Sequence, residues 1–373
     1  MNGTRLTVLQ ILPALESGGV ERGVLEVTRA LTAAGHRALV ISAGGRMVKD
    51  VEAAGGEHHA WPIGKKSLWT LRHIAPLRRF LAREQVDILH ARSRMPAWVA
   101  WLAWRGMPPG RRPRFVTTAH GLYSVNRYSA VMMKGEAVIA VSETMRSYIA
   151  ENYPWVPPER IHVIHRGVDT AEFPHGFKPD ALWESAAAAE YPGAAGKLRL
   201  LLPGRITRLK GHEDFIEIIR RLKKRGLSVH GLIVGGAAPS KRKYLQKLRY
   251  RVRALDLEGE VSFTGQRQDL KNVMAWSHLV LSLSGRPESF GRTTLEALSL
   301  GVPTAGYDHG GVGEILSRIY PHGLLPRGDV DAATRRIESL LNDTPPVPAG
   351  EFFPLRDMLD KTLALYTRLA CER

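Results

Sequence analysis

The feature that most constrains this chain is a strand–helix alternation that runs, breaks and starts again. Residues 6–12 form a short apolar run. Val20, Val24, Val27, Leu31 and Ala34 then recur at helical spacing, and Gly35 stands where a left-handed residue closes a helix. Residues 38–43 are apolar again. Leu68, Leu71, Ile74, Leu77 and Leu81 mark a second amphipathic helix with Ser67 as its N-cap. Residues 86–90, 115–118 and 137–141 read as further strands, and Ser142 opens another helix. Apolar strands alternating with helices predict an α/β fold, a parallel sheet covered on both faces. Around 169–197 the pattern breaks, with Pro174, Pro179, Pro192 and an Ala-rich stretch that reads as a linker holding one short helix. Alternation resumes with strands at 198–202, 229–234, 261–264, 278–284, 302–307 and 324–325. The intervening helices include 213–225, a basic one near 241–255 and one around Glu296. A second Pro-rich break, 345–348, precedes a final helix over 353–371. Two α/β units of similar size follow, and ligands of such sheets bind beyond the carboxyl ends of the strands.

The 373 residues suffice for two or three domains. No run approaches the roughly 18 apolar residues needed to span a bilayer. The apolar N-terminal segment leads into a Gly-Gly loop and an amphipathic helix, which favours a core strand over a signal peptide. A single cysteine, Cys371, leaves no internal disulfide or cysteine metal site and suits a reducing cytosol. The charge is the unusual quantity. Lys plus Arg is 53 and Asp plus Glu is 36, a net +17. Such a chain is drawn to polyanions: nucleic acid, an anionic lipid surface, or a phosphorylated glycolipid. Charge alone does not choose among them.

Four segments carry chemistry. Glu288 and Glu296 stand eight positions apart in Pro-Glu-Ser-Phe-Gly-Arg-Thr-Thr-Leu-Glu, where a loop becomes a helix. The helix start between them, Phe290–Gly291–Arg292, offers free N–H groups and the positive dipole end, a good seat for phosphate. Gly204-Arg-Ile-Thr-Arg-Leu-Lys-Gly follows the first strand of the second half and supplies Arg205 and Lys210, fixed cations suited to a diphosphate leaving group. Gly18 and Gly19 follow the first strand of the chain and permit close backbone approach, but the loop is not G-x-G-x-x-G. Thr117-Thr-Ala-His-Gly ends a strand and puts His120 at a carboxyl edge. Two patterns have bland readings. Asp329-Val-Asp331 tempts a metal reading but fits a helix cap better. Trp98, Trp101 and Trp104, with Arg92, Arg94 and Arg105 nearby, offer an acceptor- or membrane-facing patch or simple helix packing.

These motifs, in this order, resemble retaining glycosyltransferases of family 4. The Glu288–Glu296 spacing resembles their E-x7-E motif, Gly18 to Arg22 their G-G-x-E-R loop, Gly204 to Gly211 their G-R-x-x-x-x-K-G element, and Phe263-Thr-Gly265 their F-x-G segment near the nucleobase. Gly310-Gly-Val-Gly-Glu314 resembles a G-G-x-x-E turn. Ile164-His-Arg-Gly-Val-Asp resembles I-P-N-G-V-D, with His165 and Arg166 where Pro and Asn are common; this departure is expected to bear little on the chemistry. The resemblance implies the GT-B architecture, two Rossmann-like domains whose parallel sheets face across a central cleft. The domains would be 1–168 with the crossing helix 353–373, for the acceptor, and 169–352, for the donor. It implies that His120 and Glu288 are catalytic, positioning the hexose. Gly18, Gly19, Arg205, Lys210, Gly265, Phe290, Gly291, Arg292 and Glu296 would hold the donor, with Glu296 on the ribose, and Arg92 and Arg94 would meet the acceptor. It implies no metal and no cofactor, a UDP-sugar as co-substrate, and attack by the acceptor on the face the diphosphate leaves. The expected acceptor is an anionic lipid-linked glycan, lipopolysaccharide core, met at the cytoplasmic face of the inner membrane, and not nucleic acid. The competing readings are a nucleotide-sugar epimerase or hydrolase of the same architecture, and a basic module binding nucleic acid or membrane.

Overall fold

The computed structural model describes residues 5–16 and 18–372. The chain divides into two compact units, Met1–Gly167 with Leu355–Arg373, and Val168–Pro354. The first contains β1 (Thr7–Ile11), α1 (Gly19–Ala33), β2 (Arg37–Ser42), α2 (Val48–Ala53), β3 (Glu57–Ala60), α3 (Ile74–Arg83), β4 (Ile88–Ala91), α4 (Arg94–Arg105), β5 (Arg114–Ala119), β6 (Ala137–Ala140), α5 (Glu143–Asn152) and β7 (Ile161–Val163). Among the described residues its strands form one parallel sheet in the order β3-β2-β1-β4-β5-β6-β7. The order reverses between β1 and β4, so the crevice at their carboxyl ends is the ligand position for this topology.

The second unit contains α6 (Ala181–Glu190), β8 (Leu198–Pro203), α7 (His212–Lys224), β9 (Val229–Val234), α8 (Arg242–Ala254), β10 (Val261–Gly265), α9 (Leu270–Trp276), β11 (Leu279–Ser282), α10 (Arg292–Ser299), β12 (Thr304–Tyr307), α11 (Gly310–Ile319), β13 (Leu324–Leu325) and α12 (Val330–Asn342). Its parallel sheet runs β10-β9-β8-β11-β12-β13, with the reversal between β8 and β11. The final helix, α13 (Leu355–Cys371), belongs to the first unit. Its Met358, Leu365, Tyr366 and Leu369 are buried with Leu6, Val8, Val27, Leu31 and Ile88. Fully burying a large apolar side chain stabilises by roughly 1.5–3 kcal/mol, so these four make α13 part of the core rather than an appendage.

Local sequence explains most elements and two departures. Gly35 has φ +78 and its N–H bonds Thr32 O, closing α1 as expected. The helix expected over 68–81 divides. Leu68–His73 is a 3-10 turn on which Ser67 Oγ accepts from the Trp69 N–H, and α3 restarts at Ile74. Pro76 accounts for the break: it has no N–H to continue the ladder from the turn, yet it is tolerated in the first turn of a helix. The edge strands β3 and β7 were not expected. β3 reads Glu-His-His-Ala, and its half-exposed side chains lack apolar alternation.

Candidate functional site

The second unit gathers its chemistry at the β8/β11 reversal. After β8 the chain enters the Gly204–Gly211 loop; after β11 it enters the 283–291 loop. Gly285 N–H bonds Leu209 O at 2.8 Å, which joins the two loops. Gly211, at φ +72, caps α7, and a Cβ there would lie 2.0 Å from Leu283 O. Glycine is therefore required both for the left-handed turn and for the close approach. The neighbouring strand ends are bound as tightly: Gly204 N–H to Val234 O and Gly235 N–H to Gly265 O, each at 2.8 Å. Gly265 ends β10 in this row.

Across the joined loops Lys210 Nζ meets Glu288 Oε1 at 2.7 Å, and Ser284 Oγ donates to the same oxygen. Burial pushes the Glu288 carboxyl up, but the Lys210 charge and the hydrogen bonds from Lys210 and Ser284 outweigh it and hold the group below its ordinary range. Glu288 is thus an ionised carboxylate beside a cation. Arg205 is exposed and makes no ion pair among the described residues, so its charge is available to a ligand.

Three residues beyond Glu288, Gly291 takes φ +102 and α10 begins at Arg292. Glu296 lies in the second turn, 6% exposed, with Arg292 Nε on its Oε1 at 3.0 Å. Phe290 is buried, its ring 5.8 Å from that of Phe353, so it can offer a ligand only backbone. The Gly310-Gly311 pair fixes this loop from behind. Gly311 N–H bonds Glu288 O at 2.7 Å, and a Cβ on Gly311 would lie 2.3 Å from Phe290. The structure therefore brings Lys210, Glu288, Arg292 and Glu296 to one helix start. Sequence reasoning missed Ser284 and His309, whose Nε2 sits 2.7 Å from Ser284 O. A strand-end position beside the topological reversal was the signal available for Ser284.

In the first unit Gly18, with φ +149, precedes α1, and Gly19 is its first residue. His120 follows β5. Burial first, then the charges of Arg166 and Arg92, drive its imidazole well below the usual histidine range. Arg166 Nη2 bonds His120 Nδ1 at 2.8 Å. The Arg166 departure, expected to bear little on the chemistry, thus places a guanidinium against one of the candidate catalytic residues.

Arg92 is also corrected. It is 3% exposed, and its guanidinium donates to Gln10 Oε1 inside the unit, because the residue leaves β4 toward the β1 side of the crevice rather than toward solvent. It cannot be part of a surface patch. Arg94 is half-buried over the rings of Tyr123 and Tyr128. Within the tryptophan stripe, Trp98 Nε1 bonds Tyr128 O and Trp104 Nε1 bonds Pro113 O, at 2.9 and 2.8 Å, so both indoles pack the helix down. Asp329 caps α12 through the Ala332 N–H, and Asp331 pairs with Arg221, Arg225 and Arg335. The D-x-D pattern is used up by helix capping and ion pairing.

Two Rossmann-like units with parallel sheets, one carrying a cation–carboxylate pair at a helix start, define a GT-B glycosyltransferase. The chain belongs to the family whose members join a Glycosyltransferase Family 4 segment, matched here over residues 17–172, to a Glycosyl transferases group 1 segment, matched over 188–358. A glycosyltransferase from Rickettsia africae is similar over 98% of this chain and 99% of its own, at 27% identity and a TM-score of 0.83. Anabaena HepE, solved with UDP and glucose, shares the fold at 20% identity and a TM-score of 0.80, covering 98% of this chain and all of its own. N-acetyl-alpha-D-glucosaminyl L-malate synthase of Bacillus anthracis is 28% identical over 70% of this chain and 67% of its own. The lipopolysaccharide core biosynthesis mannosyltransferase LpcC of Rhizobium leguminosarum is 28% identical over 56% of this chain and 55% of its own. This last match spans little more than half of its curated relative.

Proposed function

We propose that the protein is a retaining, metal-independent hexosyltransferase using a UDP-sugar, with an anionic lipid-linked glycan of the lipopolysaccharide core type as acceptor. The Lys210–Glu288 pair at the start of α10 carries the reading. Lys210, Arg205 and the N–H groups at 290–292 would take the diphosphate, whose charge grows as the glycosidic bond breaks. Glu296 would accept from the ribose hydroxyls. Glu288 would position the hexose from the second unit, and His120 is assigned to the sugar by the family resemblance. The acceptor oxygen bonds the anomeric carbon on the face the diphosphate leaves, and the acceptor proton passes to the departing diphosphate oxygen. Glu288 then needs no covalent step; its negative charge stabilises the cationic sugar between bond breaking and bond making.

The UDP reading is supported by HepE, solved with UDP, and the acceptor reading by LpcC. Attachment to the cytoplasmic face of the inner membrane is supported by charge and by a surface feature. Leu68 and Trp69 are 84% and 78% exposed on the 3-10 turn, beside Lys65 and Lys66. Apolar tips beside lysines suit an anionic interface. No helix among the described residues is long and apolar enough to cross a membrane. The test is a panel of sugar nucleotides against purified truncated core glycolipids, with the anomeric configuration of the product read by NMR. Hexose transfer with retained configuration is expected. Release of free sugar or epimerised nucleotide without an acceptor would replace this reading with that of a hydrolase or epimerase.

A further inference from the structure

Arg166 and His120 lie 46 residues apart in sequence and meet inside the first unit. Arg166 follows β7 and is 8% exposed. One guanidinium nitrogen reaches His120 Nδ1 at 2.8 Å, and another lies 3.6 Å from Met358 Sδ on α13. Helix α1 is shaped around the same group. A Cβ on Gly23 would stand 2.6 Å from Arg166 Nη1, so a side chain there would push the guanidinium away. Three elements thus hold Arg166 in one place, and that place is against the imidazole.

The chemistry of the contact is one-sided. A guanidinium has donors, no acceptor, and stays protonated in proteins. It can approach Nδ1 only if Nδ1 offers its lone pair, which puts the imidazole proton on Nε2. We propose that Arg166 is a positioning residue that locks His120 as the neutral, Nε2-protonated tautomer, so that the histidine meets the transferred sugar as a hydrogen-bond donor and never as a general base. The sugar contact rests on the proposed transferase function; the tautomer does not.

The surrounding groups point the same way. Arg92, following β4, adds a second buried cation. His90 on β4 is itself neutral, its two ring nitrogens engaged by Tyr366 of α13 at 2.5 Å and Thr118 of β5 at 2.7 Å. The half-buried Tyr123 phenol, in the loop after β5, lies against the His120 backbone, and desolvation raises its pKa, so it is uncharged. Glu26 on α1 is a buried carboxylate, facing Arg92 and paired with Arg22 at 3.3 Å. Two cations beside a half-buried imidazole disfavour a third positive charge.

The experiment uses the full chain labelled with 15N-histidine, and long-range 1H–15N correlation spectra from pH 5 to 8. His120 is assigned by its loss in His120→Gln. An unprotonated Nδ1, a protonated Nε2 and no titration across the range are expected. In Arg166→Asn the tautomers should mix and the ring should titrate, while Arg166→Lys, which keeps a donor, should retain part of the wild-type signature. In the transfer assay Arg166→Asn should lower kcat about tenfold or more with a smaller change in donor KM, and should add an acid limb to the pH profile. A His120 that titrates normally in the wild type, or an Nδ1 that carries the proton, overturns the proposal even if transfer is found. The expected spectra without any transfer would leave the tautomer standing and refute the transferase reading.

Discussion

Glu288→Gln should tighten UDP binding, although Glu288 sits in the proposed donor site. Lys210 is held by the Glu288 carboxylate at 2.7 Å, with side chains 31% and 22% exposed. A hydrogen bond to a charged group contributes about 1.5–3 kcal/mol when sheltered and an exposed ion pair at most about 1 kcal/mol, so this partly sheltered pair is worth about 1–2 kcal/mol. A diphosphate competes with that carboxylate for Lys210 and is repelled by it. Removing the charge should therefore lower the Kd for UDP by up to about 5- to 30-fold, taking 1.4 kcal/mol per decade. Lys210→Met should raise Kd by about 10- to 100-fold, the loss of one charge-assisted phosphate contact. The double variant should resemble Lys210→Met, because the gain from Glu288→Gln acts through Lys210. Isothermal titration with UDP measures all three, and sugar transfer should still collapse in Glu288→Gln. If Glu288→Gln weakens UDP binding as much as Lys210→Met does, the competition argument is refuted and Glu288 must itself hold the nucleotide.

Further outcomes follow from single features. Gly211→Ala combines a left-handed backbone with a Cβ placed 2.0 Å from Leu283 O, and should destabilise the second unit by about 2–4 kcal/mol in denaturant unfolding. His212 is fully buried, and burial pushes its pKa down to about 4 from 6.5. The unfolded chain binds the proton first, so stability should fall as pH drops from 6.5 to 4, by about 3 kcal/mol, and His212→Phe should flatten that slope in unfolding curves. Trp69→Ser should reduce cosedimentation with vesicles containing anionic lipid while leaving UDP binding unchanged; unaltered cosedimentation would remove Trp69 from the membrane reading. Asp329→Ala should cost about 1 kcal/mol through loss of the α12 cap, with no response to added divalent cations expected in either protein.

The residues gathered at the start of α10 were legible because their arrangement is local. Glu288, Gly291 and Glu296 span one loop-to-helix transition, and Lys210 lies in a glycine-bounded loop after a strand, so spacing alone brings each to a strand end. Arg166 and His120 were not legible as a pair. They meet across β5, β6 and β7, and no periodicity encodes a contact between two loops. The departure from Asn at Arg166 was visible, but its partner was not. Arg92 misled for a related reason: an arginine just after a strand reads as a surface cation, and its burial depends on Gln10 of a strand that pairs with β4 only in the folded sheet. β3 escaped because a half-exposed edge strand gains little from apolar side chains and so carries none of the usual alternation.

The return of α13 to the first unit has a consequence for how the molecule is made. Tyr366, Leu365 and Met358 complete a core begun by Leu6 and Val8, and Tyr366 also supplies the partner of the buried His90. During synthesis the first unit emerges first but cannot close this core, because its last helix follows all of Val168–Pro354. The second unit has every element of its sheet in one continuous stretch and can mature earlier. Domains usually mature in amino-to-carboxyl order, but here the half of the molecule bearing His120 stays incomplete until α13 has been translated.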